Sequence, residues 1–169
     1  MNDLGALFDR HIATEFVDKD PDATMATMAD NPTLYHVPVG TGGRGRDQVA
    51  QFYRDHFIPA WPPDVEITPL SRTVDSARVV DEFIVNFTHD RVMDFWLPRI
   101  PPTGRKVSLP HVVIVGFEGD KVLYEHIYWD QASLLVQLGL LDPSSLPVTG
   151  SDQARGLTDA SLPLNWILQ

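Results

Sequence analysis

The order of predicted elements, helices first and strands afterwards, places this chain in the α+β class, with helices packed on a bent antiparallel sheet. Three observations carry that expectation. Apolar residues recur at helical spacing through the N-terminal third of the chain. Alternating, valine-rich stretches follow as far as Trp129. A length of 169 residues suits one domain, and a domain of that size buries roughly 70% of the surface its unfolded chain exposes.

The elements follow in order. Leu4, Leu7, Phe8, Ile12 and Phe16 mark one face of a helix over Leu4 to Val17. Asp20-Pro21-Asp22 supplies a cap and a first-turn proline for a second helix reaching about Met28. Asn31-Pro32 ends it, and Thr33 to Val37 reads as a strand. Gly40 to Gly45 lacks the lysine and spacing of a phosphate-binding loop and reads as a turn. Val49, Phe52, Tyr53, His56 and Phe57 share one face of a third helix over Asp47 to Phe57, broken by Pro59, Pro62 and Pro63. Strands are expected over Val65 to Val74, Ala77 to His89, Val107 to Phe117 and Lys121 to Trp129, the last two joined at Glu118-Gly119-Asp120. Asp130 reads as the N-cap of a helix over Gln131 to Leu138, rather than as a catalytic carboxylate. The core is expected over residues 3–141. The tail 142–169, rich in proline and serine, ends in an apolar stretch from Leu162 to Leu168 that should dock on its own sheet or on a partner subunit.

Composition narrows the function. Absence of cysteine removes thiol nucleophiles and zinc–cysteine sites. A net charge of −10 would repel phosphate backbones, and Arg44 and Arg46 are too few and too glycine-flanked to form a nucleic-acid patch. No window reaches the ~18 apolar residues of a membrane span, and the acidic N-terminus does not read as a secretion signal. The expectation is a cytoplasmic protein that uses neither membrane nor nucleic acid.

Four segments carry a family resemblance: the helix from Asp22 running into Leu34-Tyr35-His36-Val37-Pro38; Gly45-Arg46-Asp47 opening a helix; His89 followed by Pro101-Pro102-Thr103-Gly104-Arg105; and Tyr128-Trp129-Asp130 leading into Gln137-Leu138-Gly139. Together they resemble the SnoaL-like polyketide cyclases of the nuclear transport factor 2-like superfamily. The resemblance implies a cone-shaped fold, three helices on a strongly bent sheet that encloses a pocket, and a homodimer formed through the sheet face. It also implies cofactor-free chemistry such as cyclisation, isomerisation or dehydration. In the cyclases and epoxide hydrolases of this group the acid lies three residues before the aspartate of the Tyr-aromatic-Asp motif, which here is Ile127. The Arg-x-Asp pair of the epoxide hydrolases falls on Phe83-Ile84-Val85, and their Tyr-x-Asn on Tyr35-His36-Val37. Epoxide hydrolysis is therefore disfavoured.

Strand parity supplies other candidates, because residues two apart share a face. If Ile127 faces the pocket, so do Glu125 and Trp129. By the same family alignment, Phe83, Val85, Phe87 and His89 should line it from the long strand, His111, Val113 and Val115 from the next, and Tyr35 and Val37 from the first. Trp61 is placed at the pocket mouth. The apolar lining makes Glu125 the expected proton-exchanging group, with His111 or His89 as partner and Tyr35 orienting a substrate oxygen. Two histidines and a glutamate can also form a metal triad, but without a close-spaced pair such as His-x-His the reading is of no metal and no cofactor. A non-catalytic ligand-binding protein of the same fold, and an interaction module, remain the alternatives.

Overall fold

A computed structural model describes residues 3–168. Helix α1 (Leu4–Phe16) starts at Asp3, whose carboxylate accepts from the Ala6 amide, and buries Leu4, Phe8, His11 and Glu15 along one stripe. Helix α2 (Pro21–Ala26) is capped by Asp20, which accepts from Asp22 and Ala23, with Pro21 at the first helical position. Both caps satisfy amides that have no partner within the helix.

Strand β1 (Met28–His36) begins five residues earlier than the sequence suggests. Asn31 and Pro32 fall where its register shifts, an irregularity that tolerates a residue without an amide hydrogen. The glycine-rich segment is a strand as well as a turn: β2 (Thr41–Arg44) pairs antiparallel with β1. Gly42 holds a positive φ of 133°, and a Cβ there would collide with the Leu34 carbonyl, so glycine permits this close pairing. Helix α3 (Arg46–Phe52) opens into a single π-helical turn, Tyr53–Phe57, then a short 3-10 turn, Ile58–Ala60.

Strands β3 (Glu66–Val74), β4 (Arg78–Thr88), β5 (Lys106–Glu118) and β6 (Lys121–Trp129) form an antiparallel meander. The six-stranded order is β2-β1-β6-β5-β4-β3. One expectation is corrected here: the sheet is mixed, because β6 returns beside β1 running the same way. Helix α4 (Gln131–Gln137) is capped by Asp130, which accepts from Ala132 and Ser133, as its sequence position predicts.

The connection between β4 and β5 is long, yet it buries Met93, Phe95, Trp96 and Leu97. These side chains close one end of the core against Trp61, Phe87 and Trp129. Burying each of the larger ones contributes about 1.5–3 kcal/mol. The tail divides. Helix α5 (Asp152–Thr158) is anchored by Ala154, by Gln153 bonding Asp130, and by Ser133 donating to the Thr149 carbonyl. The apolar end, expected to dock on its own sheet or on a partner subunit, leaves Leu164, Trp166, Ile167 and Leu168 exposed in the single chain. No helix among the described residues is long and apolar enough to cross a membrane.

Candidate active site

A cavity of about 580 Å³ lies between α1 and the inner face of the sheet, with five strands contributing to its wall. Cross-strand partners share a face, and the register carries one face through the sheet: Leu34 beside Glu125, His36 beside Ile127, Ile127 beside Val113, Glu125 beside Val115, and Phe83 beside His111. Glu125, His111, Phe83, Val85, Val113, Ile127 and Trp61 all line the cavity.

Tyr35 does not. It lies on the outer face, 37% exposed, because pairing Leu34 with Glu125 turns the even-numbered residues of β1 inward. His36 therefore stands in the cavity wall where Tyr35 was expected. Val37 lies just past the end of β1 and off the cavity. His89 is buried beyond it, its Nδ1 accepting from the Thr103 amide at 3.3 Å, because β4 has ended and the chain has turned into the connection. Phe87 and Trp129 have the expected parity but sit one layer behind the wall, since Trp61 and Trp96 fill the space in front of them.

Glu125 meets partners from two helical segments. Tyr53 donates its hydroxyl hydrogen to Glu125 Oε1 at 2.8 Å. His11 Nε2 lies 3.0 Å from the same oxygen and 3.2 Å from Glu15 Oε1. The protonation of His11 follows from its neighbours. Thr27 donates its hydroxyl hydrogen to the Thr24 carbonyl, so at 2.6 Å it can only accept from His11 Nδ1. Both ring nitrogens then carry hydrogen, and the ring is an imidazolium. Burial alone would favour the neutral ring, but Glu125 and Glu15 raise its pKa to about 10. The two carboxyl groups diverge: burial raises Glu15, while His11 and Tyr53 overcome the burial of Glu125 and lower it. The two carboxyl groups, both beside His11 in one wall, are thus pushed in opposite directions, Glu15 toward holding a proton and Glu125 toward releasing one. His11, Glu15 and Glu125 also offer one ligand atom apiece within 4.8 Å of one another. A divalent ion could sit there only if His11 Nε2 gave up its hydrogen.

The π-helical turn places Tyr53 in this cluster, a common location for such turns. His11 and Glu15 were legible as an i, i+4 polar pair on the apolar stripe of α1, continuing the rhythm of Leu4 and Phe8. Nothing local in the sequence marks Tyr53, because its partner lies on β6.

The other end of the cavity holds neutral polar groups. His111 Nδ1 donates to the Leu109 carbonyl at 2.9 Å, so Nε2 carries the lone pair. The ring stacks between Phe83 and Trp96, with interplanar angles of 12° and 22°, and burial pushes its pKa down to about 4. His36 Nδ1 donates to Thr41, whose own hydrogen goes to the Phe95 carbonyl. Burial and the neighbouring His111 hold His36 down at about 3. At the rim, Arg72 bridges Asp9 on α1 and Asp81 on β4 at 2.7 and 2.6 Å.

Comparison with known proteins agrees with this architecture. The family profile described as a SnoaL-like domain matches residues 8–125, more than half of the chain. No curated protein sequence matches. Among solved structures, a putative SnoaL-like polyketide cyclase from Jannaschia sp. CCS1 superposes with a TM-score of 0.64 at 17% identity, covering 84% of this chain and 98% of its own. AclR, a putative hydroxylase from Streptomyces galilaeus, gives 0.62 at 21% identity over 82% and 86%. A hypothetical protein with a ketosteroid isomerase-like fold from Catenulispora acidiphila, crystallised with trimethylamine, gives 0.61 at 16% identity over 80% and 93%. Identities this low speak for the fold alone. The profile match, running from α1 through Glu125 and so spanning both halves of the charged cluster, shows that the chain belongs to the SnoaL-like domain family.

Proposed function

We propose that this protein is a cofactor-free acid/base enzyme acting on an apolar, ring-bearing small molecule, of the isomerase, cyclase or dehydratase kind. One observation carries the reading: two buried glutamates, Glu15 and Glu125, flank the His11 ring in the wall of a largely apolar cavity, and their surroundings shift them in opposite directions. In this reading Glu125 removes a proton from carbon, His11 and Tyr53 hold the carboxylate in position, and Glu15 returns a proton to oxygen. His11 keeps both its hydrogens and does not titrate during the cycle. The family's acid position is the apolar Ile127; Glu125, two residues earlier on the same face, takes its place.

The test is solvent deuterium incorporation into a panel of enolisable cyclic ketones, followed by NMR. Exchange should fall about 10²–10⁴-fold in Glu125→Gln and should be unaffected by chelators. Undiminished exchange in that variant ends the proposal, and loss of exchange on chelation reassigns the cluster to a metal. Ile127 favours a second reading, a non-catalytic binding protein, which binding without exchange would support. We also propose a homodimer through the outer sheet face, where Tyr35 and Tyr128 are exposed and Tyr124 stacks on His126. Light scattering that gives a monomer mass would remove it.

A further inference from the structure

The cavity meets solvent along one slot. Of its lining residues, those exposed are Asp9 on α1 and Pro69, Ser71 and Arg72 on β3; the others are buried or half-buried. The mouth therefore lies between α1 and β3. A single guanidinium spans it. Arg72 donates through Nε and Nη2 to the two carboxylate oxygens of Asp81, each at 2.6 Å. Through Nη1 it donates to Asp9 at 2.7 Å and to the Gly5 carbonyl at 3.4 Å. Its charge also lies 5.8 Å from the centre of the Phe8 ring. Among the described residues, no other side chain joins β3 to α1 by an ion pair or a hydrogen bond.

An irregularity in β3 brings Arg72 there. Ile67 pairs with Val85 and Pro69 with Phe83, so the odd-numbered residues of this stretch share the cavity face. Leu70 is then passed over: Ser71 pairs with Glu82, and Arg72 with Asp81. Asp81 in turn pairs with Val113 of the cavity wall. The extra residue reverses the parity and turns Arg72 from the outer face to the inner one. Bulges re-aim side chains in this way beside functional sites. The two aspartates hold Arg72 unequally. The Asp81 side chain is 13% exposed and gripped by two bonds, whereas that of Asp9 is 64% exposed and held by one. A bidentate pair is the stronger, so the bridge opens first at Asp9. We propose that Arg72 is a latch across the mouth of the cavity: anchored on Asp81, it closes the slot by gripping Asp9 and admits a ligand when it lets go. Helix α1 stays in place meanwhile, because His11 ties its middle to Glu125 and Thr27. The latch governs passage, not chemistry, and so stands apart from the acid/base reading.

The test is stopped-flow binding of N-phenyl-1-naphthylamine, an uncharged aromatic probe whose fluorescence rises in apolar surroundings. Exposed ion pairs are modest, so Asp9→Ala should raise the association and dissociation rates together by about two- to fivefold and leave affinity within about twofold. Arg72→Met should raise both rates at least as much. Should that variant fail to fold, with Asp81 left unpaired, Asp9→Ala decides alone, because Asp9 lies at the surface. Salt raised from about 0.05 to about 0.5 M should speed both entry and exit in the wild-type protein, since screening loosens the bridge. In Asp9→Ala it should not. The probe carries no charge, so steering contributes nothing, and stronger apolar burial in salt would speed entry but slow exit. Rates that Asp9→Ala leaves unchanged overturn the latch. A joint salt effect that survives in Asp9→Ala does the same, and so does failure of the probe to bind. None of these readings depends on proton exchange, so loss of the catalytic proposal leaves the latch standing, and the reverse.

Discussion

The two ends of the cavity solve the burial of polar groups in opposite ways. Around Glu125, each buried polar group meets another: Tyr53 and His11 bond the carboxylate, Glu15 sits against the imidazolium, and Thr27 accepts from its far nitrogen. Around His111, three buried nitrogens meet nothing. The first end holds charge because its members compensate one another while largely buried. The second holds none, and each unmet group costs about 1–3 kcal/mol. The contrast separates an end whose buried polar groups pair with one another from an end whose buried nitrogens stay unpaired.

Several experiments break or sharpen this comparison. The largest expected effect is the about 10²–10⁴-fold loss of proton exchange in Glu125→Gln, with binding retained, measured by NMR. Next comes His11→Leu, which strips the buried carboxylate of its cation. Loss of one partner from a buried pair costs about 3–5 kcal/mol, read by urea denaturation at neutral pH. At the other end, Trp96→Phe breaks no side-chain hydrogen bond, so its cost is the packing lost when a smaller ring replaces a buried indole.

The pH dependence of stability distinguishes the ends by sign. His111 and His36 are held down at about 4 and about 3, against an ordinary 6.5. Below 6.5 the unfolded chain takes up protons that the folded chain refuses, so stability falls as pH drops toward 4. His11 is raised to about 10; its contribution is complete below 6.5 and lost as pH rises through 10. Denaturation midpoints should therefore peak near neutral pH. His111→Phe should flatten the acid limb, and His11→Leu the alkaline limb. A profile that neither variant alters contradicts both assignments.

Smaller effects test the frame. Asp130→Ala should cost about 1 kcal/mol by removing the α4 cap, with exchange unchanged. Truncation after Leu162 should move stability by less than about 0.5 kcal/mol, as expected of exposed residues, because Leu164, Trp166, Ile167 and Leu168 are exposed. A larger drop in protein that light scattering shows to be dimeric would place this segment at a partner.

The sequence by itself determined what depends on neighbours along the chain. The caps at Asp20 and Asp130 and the strands of the meander follow from local signals, and the family resemblance set which face is inward, after which strict alternation along a regular strand carried Phe83, His111, Val113, Glu125 and Ile127 to the cavity. The placement failed where the family alignment did not transfer, where a strand had ended, or where other rings fill the space in front, as at Phe87 and Trp129. The face of β1 was decided by its pairing with β6, which turned Tyr35 outward and His36 inward. His89 lay beyond the last residue of β4. The charged cluster needed α1, the π-helical turn and β6 brought together, and the tautomers of His11 and His111 were fixed by hydroxyl and carbonyl groups that only packing supplies. A buried group's protonation is set by what lies within a few ångströms in space, and tertiary structure alone provides those neighbours.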